Sequence, residues 1–204
     1  YPIAIDTVRT ILKGGKTEIC HAHGAVNCVK CKANKDALWS TVDLTTFGEN
    51  DILVIDSLTQ LGLSAINKIL KAQIEKQGDN LEIEWNDWRR QGFTLDTILT
   101  RLQAAPINAI VISHETDVEK DEKKVKMAPV SGTRNYSTSV GKYFDELIYT
   151  TVLNGKHRIA NSTTYSNTVQ SGGRSGIILD KLEVPSLLPI FRPSEFDACA
   201  ARKA

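Results

Sequence analysis

Ile52-Leu53-Val54-Ile55-Asp56-Ser57 is the stretch on which the fold turns. Four aliphatic residues run straight into an acid and a hydroxyl. A continuous apolar run of this length suits a strand buried on both faces, as in a parallel sheet covered by helices. An acid at the carboxyl end of such a strand lies where open α/β sheets bind their ligands. The competing reading is a core strand ending in a helix-capping Asp-Ser pair, because both residues cap helices well.

A helical pattern follows from Leu58 to Gln73, with Ile66, Ile69, Leu70 and Ile74 in register. The polar run Gln77-Gly78-Asp79-Asn80 ends it. A second helical stretch is expected from Ile83 to Gln103, with Gly92 as its break. Trp85, Trp88, Leu95, Ile98, Leu99 and Leu102 suggest its apolar face. The tryptophans read as packing residues, with a stacking platform as the alternative. Pro106 then introduces Ile107–Glu115, a second buried-type strand with polar residues at its carboxyl end. Strand, helix and strand make a βαβ crossover and predict a parallel sheet.

Cys20, His23, Cys28 and Cys31 form C-x2-H-x4-C-x2-C, two chelating turns joined by a short loop. Sulfur and imidazole ligands in that number suit a closed, tetrahedral, structural Zn2+ site. Gly24 and Asn27 stand where left-handed backbone is needed. His21 is the competing imidazole, at poor chelating spacing, and the plain alternative is a chance cluster of free thiols. Residues 18–34 are therefore read as a zinc-binding insert.

Of 204 residues, 41% are hydrophobic and 24% charged, ordinary values for a globular protein. A net charge of +1 gives no global case for nucleic acid, so any DNA contact must be local. No apolar run approaches the roughly 20 residues of a membrane span. The start, Tyr1 to Asp6, is no signal peptide. Three of the four cysteines fall within 12 residues, and Cys199 sits near the tail. This arrangement argues for a metal cluster in a reducing, cytoplasmic compartment rather than a disulfide framework.

Further along, residues 116–135 form a long polar loop in which nine charged side chains lie between Asp117 and Arg134. A short helix at Ser137–Phe144 and a strand at Leu147–Leu153 follow. Asn154-Gly155 is a hairpin turn that returns Lys156–Thr164 antiparallel. Ser171 to Gly176 is a Gly-rich loop.

In this order the chain resembles the RecA-like P-loop ATPases, most closely the phage-type, core-only members implicated in single-strand annealing. Ile52–Asp56 resembles their Walker B strand. Ile107–His114 resembles the next sheet strand, which in RecA ends in a polar nucleotide sensor. The likeness covers roughly residues 50–165. It implies an α/β fold: a RecA-like parallel sheet flanked by helices, with a C-terminal antiparallel hairpin and the zinc-knuckle insert. Residues 1–204 would form a partial RecA-like ATPase core.

The resemblance implies ATP and Mg2+ as cofactors, with Asp56 holding the metal, Ser57 beside it, and His114 reading the γ-phosphate. It implies single-stranded DNA as partner and a homo-oligomeric ring or filament. A single-strand-binding protein is a further candidate partner, and a phage origin would place the protein in the host cytoplasm. Lys124, Lys126, Arg134, Tyr136 and Lys142 are the candidate DNA contacts. Acids outnumber lysines between Glu115 and Lys126, so a solvated loop is the competing account. Arg174, Lys156 or Arg158 would complete a neighbouring subunit's site, or are simply surface cations. A P-loop needs G-x4-G-K-[ST]. Gly15-Lys16-Thr17 imitates only its end, since Thr10 stands where the first Gly belongs and a helical stretch precedes it. The chain thus reads as the back part of a longer ATPase, which the absent initiator Met favours, or as one that has lost hydrolysis. Another RecA-type motor, such as a helicase or helicase loader, and a non-catalytic zinc-braced interaction module are the alternatives.

Overall fold

The computed structural model describes residues 3–77, 82–120, 124–129, 132–162, 169–182 and 184–194. In chain order, α1 (Ile3–Ile11) precedes β1 (Thr17–Cys20), α2 (Val29–Lys32) and β2 (Trp39–Val42). Next come β3 (Ile52–Asp56), α3 (Leu58–Gln77), α4 (Trp85–Ala104) and β4 (Asn108–Ile112). The remainder holds β5 (Glu115–Lys120), β6 (Lys124–Pro129), α5 (Arg134–Ser139), β7 (Glu146–Leu147), β8 (Tyr149–Leu153), β9 (Lys156–Ala160), β10 (Gly172–Gly173) and α6 (Leu188–Phe191).

Two compact units divide the chain. The first holds residues 1–114 and 130–137, the second residues 115–129 and 138–204. In the first, β3 and β4 run parallel with Ile52 opposite Asn108 and Asp56 opposite Ile112. The expected βαβ crossover is present, carried by both α3 and α4. The broad RecA-like sheet is not: among the described residues every sheet has two strands. The architecture is mixed α/β with small sheets.

Helix packing builds the core of the first unit. Ile5, Leu61, Ala65, Leu95 and Ile98 are buried together, with Val8, Leu12 and Tyr136 against them. The Ile5 amide has no acceptor within its own helix, being in the first turn. It donates to Ser64 Oγ at 3.0 Å, and both residues are buried. Lys68 pairs with Asp6 between the same two helices.

Gly92 does not break α4. One helical glycine costs about 1 kcal/mol relative to alanine, less than burying Leu95, Ile98, Leu99 and Leu102 provides. The first half of this helix has inverted polarity. Asp87 and Gln91 are each 2% exposed, whereas Trp85 is 70% and Phe93 74% exposed. Asp87 earns its buried position by accepting the Glu84 amide at 3.1 Å, and Gln91 Nε2 donates to Gly62 O at 2.7 Å. Trp85 is therefore not a core residue; Trp88 is half-buried.

In the second unit, Glu115–Lys120 and Lys124–Pro129, expected as loop, are strands that pair antiparallel, with Thr116 opposite Ala128 and Val118 opposite Lys126. β-Branched Thr116, Val118 and Val125 favour strand backbone even in so charged a segment. β8 and β9 pair antiparallel as expected. Asn154 and Gly155, at φ 52° and 73°, supply the two left-handed turn residues. The anticipated strand at Leu147–Leu153 is split, because β7 pairs with β10 while β8 pairs with β9. Asn161, 3% exposed, staples this unit. Its Nδ2 donates to Glu146 Oε2 and Ile177 O at 2.7 Å each, and its Oδ1 accepts from Leu179 N at 2.9 Å. Residues 78–80, 163–164 and Cys199, included in the sequence reading above, lie outside the described residues.

Candidate metal centre and the Asp56 edge

Thr17–Cys20 and Trp39–Val42 pair as a short antiparallel ribbon, and Cys20 stands at its end opposite Trp39. The chain turns there because the Gly24 amide bonds Cys20 O at 2.9 Å and the Cys20 amide bonds Ala25 O at 3.1 Å. Gly24 and Asn27 take positive φ, 61° and 52°, as the spacing requires. Cys28 then stands just before α2, at its N-terminal boundary, and Cys31 lies within the helix. Thr7 Oγ1 donates to Gly24 O at 2.8 Å, tying the knuckle to α1.

These turns bring one ligand atom each from Cys20, His23, Cys28 and Cys31 within 4.8 Å of one another. His23 Nδ1 lies 3.8, 3.5 and 3.2 Å from the sulfurs of Cys20, Cys28 and Cys31. Ligands at the bond lengths of tetrahedral Zn2+ would stand about 3.6 Å apart along a sulfur–nitrogen edge. The set therefore fits an ion such as Zn2+, in a closed site with no ligand position left over. His21 is not part of it, since its Nε2 bonds Ser40 Oγ at 2.7 Å. Cys20 and Cys31 are buried.

The thiols are unequal without an ion. Burial raises the Cys20 pKa, but hydrogen bonds with the Ala25 and His23 backbone outweigh it and bring the thiol down to about 6. Burial and the neighbouring Cys20 and Cys28 thiols push Cys31 up to about 11. One thiolate forms readily and opposes the next. A divalent cation removes that opposition, so metal binding and proton release are coupled.

The second candidate locus is the carboxyl end of β3 and β4. Asp56 is exposed there, Ser57 is buried, and their peptide bond is cis. Ser57 Oγ accepts the Gln60 amide at 3.2 Å, a capping bond at the start of α3. Capping is thus one real task of the Asp-Ser pair. Thr59, in the first turn of α3, ties that helix to the residues that follow β4. Its Oγ1 accepts the His114 amide at 3.3 Å and lies 3.4 Å from Ser113 Oγ, which donates to His114 O at 2.9 Å. Sequence reasoning passed over Thr59 and Ser113, since hydroxyls after a strand are unremarkable without the pairing.

A cleft of about 220 Å³ lies beside Asp56, walled by Val8 and Ile11 of α1, by Leu12 just after it and by Gln60. That is below the usual range of ligand pockets, roughly 300–1,000 Å³. Nor is a phosphate cradle found among the described residues. Gly15-Lys16-Thr17 joins helix α1 to strand β1, the reverse of the strand-to-helix order of a P-loop. This edge offers one exposed carboxylate, Asp56, and the residues present do not suit the phosphates of ATP.

The remaining candidates are scattered. Tyr136, proposed to stack on a base, packs inward against the α1–α3–α4 core. Lys124 and Lys126 belong to β6 and Arg134 opens α5, with side chains outside the described parts. Lys142 is exposed and lies 4.8 Å from the Tyr143 ring centroid. Arg174 braces its own unit, bonding Asp145 Oδ1 at 3.3 Å and Lys142 O at 3.2 Å. Lys156 and Arg158 lie on β9, the first exposed and the second half-buried. Among the described residues, no helix is long and apolar enough to cross a membrane.

Comparison with protein-family models, with curated protein sequences and with solved structures finds no match for the chain.

Proposed function

We propose that the chain is a RecA-type DNA recombination protein that binds single-stranded DNA as an oligomer and promotes annealing or strand exchange. In this reading the Cys20-His23-Cys28-Cys31 cluster holds a structural zinc ion, and Asp56 and His114 mark the nucleotide-facing edge. The observation that carries it is the in-register parallel pairing of β3 with β4. This pairing sets an acid and a polar strand end side by side, as the Walker B and sensor strands of that family do. Thr59, at the start of the helix after β3, bonds the residues that follow β4. Asp56 would hold Mg2+ through its water shell. Since the described residues include no phosphate cradle, they provide no hydrolytic step of their own.

The narrow cleft beside Asp56 favours a second reading, a zinc-braced interaction module in which Asp56 and Ser57 only begin a helix. One experiment separates these. Binding to single-stranded DNA and annealing of complementary strands are measured with and without Mg2+ and ATP, for the wild type and Asp56→Asn. The proposal expects binding that weakens with salt, and a nucleotide effect that Asp56→Asn removes without changing the fold. Duplex unwinding would instead indicate a helicase-type motor. Absence of any DNA binding leaves the interaction module.

A further inference from the structure

The inverted first half of α4 has an outcome on its outer side. Trp85, Arg89 and Phe93 are all exposed there. They recur every four residues, so they occupy a sector about 80° wide and about 12 Å long. Beside them lies a cleft of about 370 Å³ lined by Ile69, Arg89, Arg90, Phe93 and Thr94. None of these five residues is acidic. The acids nearest in sequence are otherwise placed: Asp87 is buried and 4.0 Å from Arg90, Asp96 is half-buried, and Glu82 and Glu84 are exposed before the helix.

Aromatic faces with guanidinium groups between them match a strand whose bases are unpaired. The rings take the bases and the arginines take the phosphates. Side chains rooted two turns apart, about 12 Å along the helix axis, do not match neighbouring bases of a duplex, which are 3.4 Å apart along a strand. An opened single strand can reach both. Two aromatic rings that stand out from a helix, instead of lining a closed pocket, also suit planar bases better than a buried peptide anchor.

We propose that the outer face of α4 is a single-stranded nucleic-acid contact, with Trp85 and Phe93 as stacking residues and Arg89 and Arg90 as phosphate contacts. This rests on the reading that the chain binds single-stranded DNA, and assigns that binding to a face outside residues 115–142. Its charge balance is local, as the overall charge of +1 demands.

The test uses the whole zinc-loaded chain and fluorescein-labelled oligo(dT) of about 20 nucleotides, long enough for more than one such contact, followed by anisotropy across a salt series. Trp85→Ala and Phe93→Ala should each weaken binding roughly tenfold, the loss of one base stack. Trp85→Phe should stay close to wild type. Arg89→Ala should weaken binding and lower the salt slope by about 0.7. Because these side chains are exposed, thermal midpoints should hold, and Trp85→Ala should leave duplex binding unchanged. Wild-type affinity in both aromatic variants would overturn the assignment. So would equal losses on duplex DNA, a change in sedimentation with DNA affinity intact, or loss of binding to an acidic peptide instead. If the variants match wild type while Lys142→Ala weakens binding, only the α4 assignment fails. If the wild-type chain ignores oligo(dT), the recombination reading falls with it.

Discussion

Replacing Cys31 with alanine tests whether the knuckle folds around an ion. Cys31 is 5% exposed and alanine deletes only its sulfur, so the change removes a ligand with little disturbance of packing. A four-ligand zinc site contributes on the order of 10–16 kcal/mol in small zinc-binding peptides. Ordering the backbone of the twelve residues Cys20–Cys31 costs about 1 kcal/mol each at the low end, about 12 kcal/mol in all. The two nearly cancel. The local apolar support is small: Cys20, Ala25 and Cys31 bury together with Ile3, Ala37 and Trp39 beside them. The knuckle should therefore be ordered only while the ion is held. The wild type should bind one zinc per chain, and Cys31→Ala should lose at least about 100-fold in affinity, more than loss of an outer partner of a ligand costs. Hydrogen exchange gives the second measurement. The Cys20 and Gly24 amides, bonded across the turn, should lose protection on chelation or in Cys31→Ala. Amides flanking Leu95 and Ile98 should keep theirs, because the helical core does not include the cluster. Wild-type zinc affinity in Cys31→Ala, or an unchanged exchange pattern after chelation, would refute the reasoning.

Other outcomes follow from the same packing. Leu95→Ala, at a fully buried position, should cost about 2–5 kcal/mol in urea unfolding. Asn161→Ala strands the Leu179 amide and the Ile177 carbonyl, and should destabilise the second unit by about 2–4 kcal/mol, read from its exchange rates. Zinc affinity should fall as the pH drops, because the ligand thiols must lose their protons before they can hold the ion and protons compete with it for them; competition with a chromophoric chelator across a pH series checks this.

Local chemistry was readable from residues alone. The C-x2-H-x4-C-x2-C spacing picked out the four residues that cluster, because a chelating turn needs only its own few residues. Asn154-Gly155 announced its hairpin for the same reason, since left-handed backbone is a property of those two residues. The apolar runs at Ile52–Ile55 and Ile107–Ile112 announced two strands, and the intervening helices made them parallel. Tertiary structure decided the rest, because burial depends on partners distant in sequence. Only packing against α3 turned Asp87 and Gln91 inward on α4, and with that Trp85 and Phe93 outward. Only cross-strand pairing made strands of the charged segments Glu115–Lys120 and Lys124–Pro129. Asn161 became a staple through residues 146 to 179, which no local pattern links to it. The acid of Asp56 shows both sides: its place at a strand end came from the sequence, while its neighbours Thr59, Ser113 and α1 came from the fold. A residue's conformation is governed mostly by its nearest chain neighbours, but its environment is set by whichever surfaces the folded chain brings against it.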